Sequence, residues 1–508
     1  MSEAQESYEN VEANDNRFSN NDEMNHDRLI LEVVPMGKKQ KRKLLIYLLV
    51  SAVSFSYLVL PDKAGISVPI FIVIQFICLY FVAPKNKPLF MFIPIFILAF
   101  NSFISANGIW YVSNFAVTIV LYSVMALWMV DGFHIKDTSV WFAIKALTNT
   151  FEPIRYFPTP VKWCAEANIE HSETAKRIMT GIAISIPCLI FLLFMLSSAD
   201  QIFSNRVAEL FNNIQTLISV NIFIKIVFGI ATGFYLFGLI YSVYQPKEEK
   251  SFNIKPKNGD MIVLNILLIS ILVIYTIFVA IQFQYLFADG NNLPYGLTYT
   301  YYARRGFFEL LFLTMFNILL ILVIVWLIKL QKGKWVTLTK TLCCYLCVVT
   351  VILLISSFYR MWLYNADDGL TRLRFLVFGF LMFEAIGLAF TFFYIIKPKF
   401  NIVAVYLVIA LTYYLVLNIV PMDRIIAKDQ IDRYFISGGG GINYTLTLSA
   451  DAATEIGRLL ESSEIHIREA ALYYFKSNSQ YYNDYAPRWQ RWNLSVSGLN
   501  KIEELWSE

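Results

Sequence analysis

The chain has little of the residue chemistry that most enzymes use, and each shortage excludes a class of protein. Among 508 residues there are only 4 His and 6 Cys, and 16% are charged. Soluble proteins carry about 25% charged residues, so this chain is too apolar to be one of them. Its His residues all lie outside the apolar stretches, which excludes haem held between membrane helices. A net charge of +4 gives no argument for nucleic-acid binding.

No catalytic, cofactor or metal motif stands out. The glycine run 438–441 is not followed by a Lys-Ser/Thr pair, which favours a turn or flexible joint over a phosphate cradle. Cys343 and Cys347 share a helix face in aliphatic surroundings, which favours packing as small apolar residues over metal or redox use. Residues 1–28 are polar and lack a signal-peptide pattern. We therefore expect no enzyme activity, no cofactor and no metal site.

Long apolar stretches are what the chain does contain. A helix needs roughly 20 apolar residues to cross a bilayer, because it rises about 1.5 Å per residue. The stretches are continuously apolar, unlike the alternating pieces of a membrane β-barrel. They predict an all-α polytopic membrane protein with about eleven transmembrane helices. The predicted spans are 44–60, 66–83, 88–105, 109–130, 178–197, 217–243, 261–287, 306–330, 339–363, 373–396 and 401–420.

Lys residues are concentrated in alternate loops, which predicts the orientation. Cytoplasmic loops carry an excess of Lys and Arg, so we expect the N-terminus inside and the C-terminal segment outside. The predicted domains are a disordered cytoplasmic tail, a four-helix membrane region, a cytoplasmic loop with an interfacial helix, a seven-helix membrane core and a small, mostly helical extracytoplasmic domain. Their bounds are 1–42, 43–130, 131–177, 178–420 and 421–508.

Charged side chains within spans are costly and mark candidate sites. The three candidates are Glu384 near the middle of its span, Lys225 and Glu309. One hypothesis makes Glu384 a proton or cation site, with Lys225 or an arginine as its partner in an outward-facing cavity. The alternative is a protonated Glu384 that is hydrogen-bonded to a hydroxyl on a neighbouring helix. A cluster at the outer edge either rings that cavity or marks the headgroup level. Its members are Arg304, Arg305, Arg360, Arg372 and Arg374.

Three segments resemble a known family: "YYARRGFFELLFLTMFNILL", "DDGLTRLRFLVFGF" and "VPMDRIIAKDQIDRYFISGGGGINYTLTLSADA". The family is an uncharacterised group of bacterial polytopic membrane proteins, the domain of unknown function four-one-seven-three, with a sister group four-one-five-three. In the third segment Arg433, Tyr434 and Asp451 match its pattern, whereas Gln430 or its neighbour stands where the family favours Asn. The resemblance implies a protein of the bacterial cytoplasmic (inner) membrane and supplies no activity.

Two hypotheses for function follow. The first is a non-enzymatic sensor or envelope-associated scaffold, whose outer segment binds a ligand or a partner protein. The second is a proton- or ion-coupled transporter that uses Glu384. A lipid-acting enzyme has little support, because the outer segments show no carboxylate pair, His cluster or nucleophile motif. Expected partners are the lipid bilayer, an envelope or signalling protein, and a small solute or ion, but not nucleic acid. Glu384 and Lys225 lining one water-filled cavity would favour transport.

Overall fold

A computed structural model describes most of the chain, and every regular element in the part that it describes is helical. The described residues are 36–59, 65–83, 88–131, 139–168, 220–245, 259–286, 307–328, 331–483 and 489–507, with isolated positions between 181 and 206. The first twelve α-helices are α1 (Lys38–Leu58), α2 (Ser67–Val82), α3 (Phe92–Ile104), α4 (Ile109–Asp131), α5 (Val140–Asn149), α6 (Pro158–Asn168), α7 (Val220–Val243), α8 (Met261–Leu286), α9 (Phe307–Ile328), α10 (Lys334–Asp368), α11 (Arg372–Ile396) and α12 (Ile402–Ile419). The remaining α-helices are α13 (Met422–Ser437), α14 (Ile442–Thr445), α15 (Ala453–Ile456), α16 (Ile465–Asn483) and α17 (Leu494–Ser507).

Within the described residues, 7 helices are long and apolar enough to cross a membrane: α4 and α7 to α12. The shorter apolar helices α2 and α3 lie where two further spans are predicted. Helix α1 includes the basic residues that precede the first predicted span. The predicted span 178–197 lies outside the described residues apart from isolated positions, so the total of eleven stays a prediction.

The membrane helices form two bundles with separate cores. In the first bundle α1 packs along α7, beside α2, α3 and α4. Gly233 permits this close approach, because a Cβ there would lie 2.8 Å from the Leu48 carbonyl oxygen. The second bundle consists of α8, α9, α10 and α11, with α12 against α11.

Hydrogen bonds between helix ends define one face of the protein. Gln40 Nε2 donates to the Val82 carbonyl oxygen at 3.0 Å and to the Tyr244 hydroxyl at 2.7 Å. These contacts put the start of α1 beside the ends of α2 and α7. Gln331 Nε2 donates to the Gly259 carbonyl oxygen at 3.1 Å, which joins the end of α9 to the start of α8. We call this the basic face, because Lys and Arg are frequent at the helix ends on it.

Residues 139–168, the continuous described part of the connection between α4 and α7, pack on the basic face. Helix α5 lies where the interfacial helix is predicted. The Ser139 side chain caps it by accepting a hydrogen bond from the Phe142 amide. The Ser123 hydroxyl of α4 donates to the Ala146 carbonyl oxygen at 2.8 Å. A short 3-10 helix follows at Glu152–Tyr156 and packs against α7, and α6 then begins. This segment is therefore attached to the first bundle.

Helix α10 is longer than predicted. It has 35 residues against a predicted span of 339–363. At about 1.5 Å per residue it extends roughly 52 Å, well beyond the roughly 30 Å of hydrocarbon, so its end projects from the face opposite the basic one. Gly369, with φ 75°, ends α10. The Thr371 side chain then accepts a hydrogen bond from the Arg374 amide and caps α11.

Residues 422–507 form what we call the cap, on that opposite face. Ile426, Ile431 and Ile456 of the cap share one apolar core with Trp110 of α4 and Leu417 of α12. The cap lies within the predicted C-terminal domain, 421–508. Its core is continuous with the ends of the membrane helices.

Local geometry in the cap refines two further expectations. The glycine run is a tight turn: Gly438, with φ 68°, ends α13, and the Gly441 amide donates to Gln430 Oε1 at 2.7 Å. Ser449 stands at a helix start, but its side chain makes no cap hydrogen bond. The Ser449 hydroxyl donates instead to Asp423 at 2.6 Å. That alternative partner is part of the junction between cap and membrane helices.

Candidate functional site

Glu384 is buried in the middle of α11, with a side chain that is only partly satisfied. The residue is 3% exposed. The Thr314 hydroxyl on α9 donates to Glu384 Oε2 at 2.9 Å, whereas Oε1 has no hydrogen-bond partner. This contact matches the alternative hypothesis from the sequence, in which Glu384 is hydrogen-bonded to a hydroxyl on a neighbouring helix. The free Oε1 keeps Glu384 a candidate for binding a proton or a cation.

Lys225 lies in the other bundle. Helix α7, which carries it, packs against α1 and α4, whereas Glu384 lies among α9, α10 and α12. The Lys225 carbonyl oxygen accepts a hydrogen bond from the Ser56 hydroxyl of α1 at 2.9 Å. The structure therefore does not bring the two predicted partners together. Glu309 is exposed in the first turn of α9.

The outer-edge arginines separate into different surroundings. Arg304 and Arg305 lie outside the described residues. Arg360 is buried within α10. Arg374 donates from Nη1 to the Gly369 carbonyl oxygen and from Nη2 to Asp368 at 3.0 Å, with its guanidinium 3.7 Å from the centre of the Tyr364 ring. It therefore fixes the turn between α10 and α11.

Arg372 joins the membrane helices to the cap. Its Nε donates to Asp423 Oδ1 at 2.8 Å and its Nη2 to Oδ2 at 2.6 Å, a bidentate pair between the start of α11 and the start of α13. Oδ2 also accepts from the Ser449 amide at 3.0 Å and from Asn107 Nδ2 at 3.3 Å. The carboxylate thus binds donors from three separated segments. We call Arg372 and Asp423 the latch.

The environment of the latch keeps Asp423 ionised. Its side chain is fully buried, and that of Arg372 is 27% exposed. Burial alone would raise the pKa of Asp423. The hydrogen bonds from Arg372 and Ser449 outweigh burial and hold that pKa below its usual range. The bidentate geometry is the strong, charge-assisted form of an arginine–carboxylate contact.

A second carboxylate, Asp451, binds the loop between α3 and α4. Its Oδ2 accepts from the Ser105 hydroxyl at 2.5 Å and its Oδ1 from the Ala106 amide at 2.6 Å. Burial raises the pKa of Asp451 above its usual value, although both hydrogen bonds act in the opposite direction. Burial also raises the pKa of the neighbouring Tyr482 to about 12, so this phenol is neutral at physiological pH. Asp451 is therefore easier to protonate than Asp423.

The last part of the cap holds the same loop. Asn493 Nδ2 donates to the Ser102 and Ser105 carbonyl oxygens at 2.9 and 2.8 Å. The Ser495 hydroxyl donates to the Ile104 carbonyl oxygen at 2.8 Å. These carbonyls include the final ones of α3, which have no partner within their own helix. The cap thus completes the hydrogen bonding of a membrane helix.

A polar cavity lies at this junction. Its volume is about 280 Å³, and its walls come from α3, α4, α12 and the cap. The lining residues with polar or aromatic side chains include Asn101, Trp110, Asn418, Arg424, Asp451 and Ser495. None of them was singled out as a site from sequence. Their common signal, polar residues next to the ends of apolar stretches, is too frequent to identify a site.

The described helices define a multi-pass, all-helical membrane protein in contact with the lipid bilayer. Its cap is bound to the membrane helices by buried ionic and hydrogen-bonded contacts. The family model for the domain of unknown function DUF4153 matches residues 92–459, so the chain belongs to that family. This is the predicted sister group, and the four-one-seven-three assignment is not confirmed. The match includes both latch residues and Asp451. No curated protein matches, and no solved structure matches.

Proposed function

We propose that the protein is a non-enzymatic sensor or envelope-associated scaffold of the bacterial cytoplasmic (inner) membrane, with the cap receiving a ligand or partner protein. The latch is the observation that carries this proposal. A buried bidentate ion pair joins the cap to the first residue of α11, and α11 runs to the basic face. A change in the cap that displaces Asp423 would leave Arg372 without its partner and so act directly on a membrane helix.

The proposed orientation rests on the basic face. Lys and Arg near span ends favour the cytoplasmic side, so the basic face is inside and the cap outside. An outer cap fits the reception of a solute or an envelope protein, and the attached segment 139–168 fits communication with a signalling protein inside. Of the two forms of the proposal, a chain of contacts from cap to basic face favours the sensor. Asp423 also binds Asn107 just before α4, and Ser123 of α4 binds Ala146 in segment 139–168.

Cys164 provides a test of transmission, because it is exposed and lies in α6 beside α7. With the other five cysteines replaced by alanine, its rate of labelling by a thiol reagent reports on the basic face. We expect Arg372→Ala to release the cap and to change that rate several-fold. The matched control is Arg458→Ala, which removes the two ion pairs that this exposed arginine makes within the cap, with Asp432 and Glu455.

Protease accessibility of the cap, measured in the same samples, shows whether release has occurred. A released cap with an unchanged Cys164 rate would contradict the sensor. A changed rate in both variants would show a general loss of stability rather than transmission through the latch.

The second candidate is a proton- or ion-coupled transporter, favoured by the unpartnered Oε1 of Glu384. It is tested by proton flux into proteoliposomes under an imposed pH gradient and under a membrane potential. Flux above that of protein-free vesicles that disappears in Glu384→Gln would support it. Equal flux in wild type and variant would exclude Glu384 as the site. Thr314→Ser, which keeps the hydroxyl, is the matched control.

A further inference from the structure

The cavity beneath the cap contains an unsatisfied acceptor. Asn101 is 2% exposed and lines the cavity. Its Nδ2 donates to the Asn418 carbonyl oxygen at 2.6 Å, which fixes the amide orientation because a carbonyl can only accept. Asn101 Oδ1 then has no hydrogen-bond partner. A buried acceptor left unpaired is costly, so this atom points to a donor that the chain itself does not supply.

Asp451 supplies a second set of acceptors in the same cavity. Its oxygens bind the Ser105 hydroxyl and the Ala106 amide at 2.5 and 2.6 Å, with the Ser495 hydroxyl also beside the carboxyl, and the two carboxylate oxygens together offer about four acceptor sites. Among the described lining residues, Arg424 is the one basic side chain. It is half exposed and is paired with Glu455 at 3.4 Å. The buried part of the cavity is therefore rich in acceptors and suited to a group that carries several donors.

The size of the cavity limits the ligand. Its volume of about 280 Å³ lies at the lower end of small-molecule sites. It fits a solute with few non-hydrogen atoms rather than a large cofactor. An ammonium group matches both the size and the acceptors, because it has three donors and no acceptor.

We propose that this cavity binds a primary ammonium group, whose N–H donors are accepted by Asn101 Oδ1 and the Asp451 carboxylate. The inference deepens the proposed function and rests on it for its biological role, since it names the chemistry that the cap receives. The ammonium belongs to a free small amine or to an ethanolamine lipid headgroup. Both sources fit, because the cavity lies level with the ends of α3 and α12.

Binding of an ammonium group should change the protonation of Asp451. Burial raises the pKa of Asp451, and the nearby Asp423 carboxylate acts in the same direction, whereas the hydrogen bonds from Ala106, Ser105 and Ser495 oppose the shift. The phenols of Tyr111 and Tyr482 also face the carboxyl. The net shift makes the empty site easier to protonate. A positive charge beside the carboxylate favours its ionised form and lowers its pKa. Binding of the ammonium therefore releases a proton at pH values where the empty site is protonated, and affinity increases as the pH rises through that range.

The test is calorimetric titration of the full chain, in nanodiscs without phosphatidylethanolamine, with ethanolamine and separately with acetate. We expect saturable binding of ethanolamine and none of acetate.

Gly498 lines the cavity, and a Cβ there would meet nothing within 4 Å. Gly498→Phe fills the space and should weaken binding at least about tenfold, whereas Gly498→Ala should leave it nearly unchanged. Asp451→Asn, which removes the charge, should also weaken binding about tenfold or more.

Nanodiscs that contain phosphatidylethanolamine distinguish the two sources. If the headgroup occupies the cavity, this lipid abolishes ethanolamine binding to wild type, and if a free amine does, the titration is unchanged. Absence of saturable ethanolamine binding in nanodiscs without phosphatidylethanolamine would overturn the proposal. Equal affinity in folded Gly498→Phe and Gly498→Ala would also overturn it. Cys164 labelling with and without ethanolamine is measured separately, so a site that binds without transmission refutes the sensor and not the site.

Discussion

Asp423 and Glu384 are both buried carboxylates, but their surroundings differ. Asp423, at the junction, accepts hydrogen bonds from Arg372, Ser449 and Asn107. Glu384, within the membrane, accepts one from Thr314 and has a second oxygen without a partner. A charge surrounded by donors is built to stay in place. A carboxyl with an unused oxygen is free to exchange a proton or bind a cation.

The comparison separates two roles for charge in one chain. At the junction, charged groups hold the cap on the membrane helices, and breaking them alters the assembly. In the second bundle, Glu384 is held by one neutral donor, so its replacement alters stability less and any transport activity more. The sensor depends on the first site and the transporter on the second.

The largest expected effect comes from Asp423→Ala, which leaves the Arg372 guanidinium without its partner. Removing one member of a buried ion pair costs about 3 to 5 kcal/mol. We expect a loss of this size in the free energy of unfolding, measured in mixed micelles, and greater protease cleavage of the cap. Arg372→Ala should act in the same direction. Arg458→Ala, whose ion pair is exposed, should cost about 1 kcal/mol or less. Equal effects of Asp423→Ala and Arg458→Ala would contradict the latch.

Thr314→Val should have a smaller effect. It preserves the side-chain shape and removes the single donor to Glu384. An acceptor left unsatisfied in the interior costs about 1 to 3 kcal/mol. The same unfolding assay applied to the double variant with Glu384→Leu provides the control. We expect the second substitution to recover part of the loss, and a further loss would contradict the account of this site.

The pH dependence should separate Asp451 from Asp423. A folded-state pKa that is raised, as for Asp451, gives stability that is present below the unfolded pKa and is lost as the pH rises through the folded-state pKa. A lowered one, as for Asp423, gives stability that is present above the unfolded pKa and is lost as the pH falls through the folded-state pKa. Stability of wild type and Asp451→Asn, followed from about pH 3 to 7, should diverge, because only the wild type loses this contribution as the pH rises through the Asp451 range. Parallel curves would show that Asp451 does not titrate as described.

Two glycines of the cap should respond in opposite directions to alanine. Gly438→Ala should lower the free energy of unfolding by about 1 kcal/mol, because Gly438 has φ 68° and an L side chain is strained in the left-handed region. Gly498 lies within α17 with open space around a Cβ, so alanine should stabilise by about 0.5 to 1 kcal/mol. Thermal unfolding of Gly438→Ala, Gly498→Ala and wild type tests these two opposite changes in stability. The same sign for both would show that the backbone of one of them is wrongly described.

Ser463→Cys should leave stability unchanged and report orientation. Ser463 is exposed on the cap, so we expect labelling by an impermeant thiol reagent in intact cells. The background replaces Cys164, which is also exposed. Labelling that requires lysis would reverse the proposed orientation and place the cap inside.

Much of the fold could be predicted from the sequence, because lipid imposes a local pattern. Apolar length alone placed the seven long helices of the described residues. Local pattern could not find Asp423, Asp451 or Asn101. Their contacts depend on segments more than 300 residues apart, such as the loop after α3 and the cap. The hydrophobic pattern sets each helix but not the pairing of polar groups at its ends.

For the same reason the predicted partnership of Glu384 and Lys225 could not be checked by sequence. Each residue is a charge in an apolar stretch, and nothing in their spacing reports that α7 and α11 belong to different bundles. Glu384 itself was found because a buried charge is conspicuous within its own helix. The hydroxyl of Thr314 is not conspicuous, since Thr is common in apolar helices.

The central claim is that Arg372 and Asp423 hold the cap to the membrane helices as one coupled unit. A double-mutant cycle of Arg372→Ala and Asp423→Ala, read by the free energy of unfolding and by hydrogen exchange in the cap, measures this directly. We expect a coupling of about 1.5 kcal/mol or more, with the double variant little worse than either single variant. Effects that add within about 0.5 kcal/mol would show that the two residues act independently and would contradict the latch.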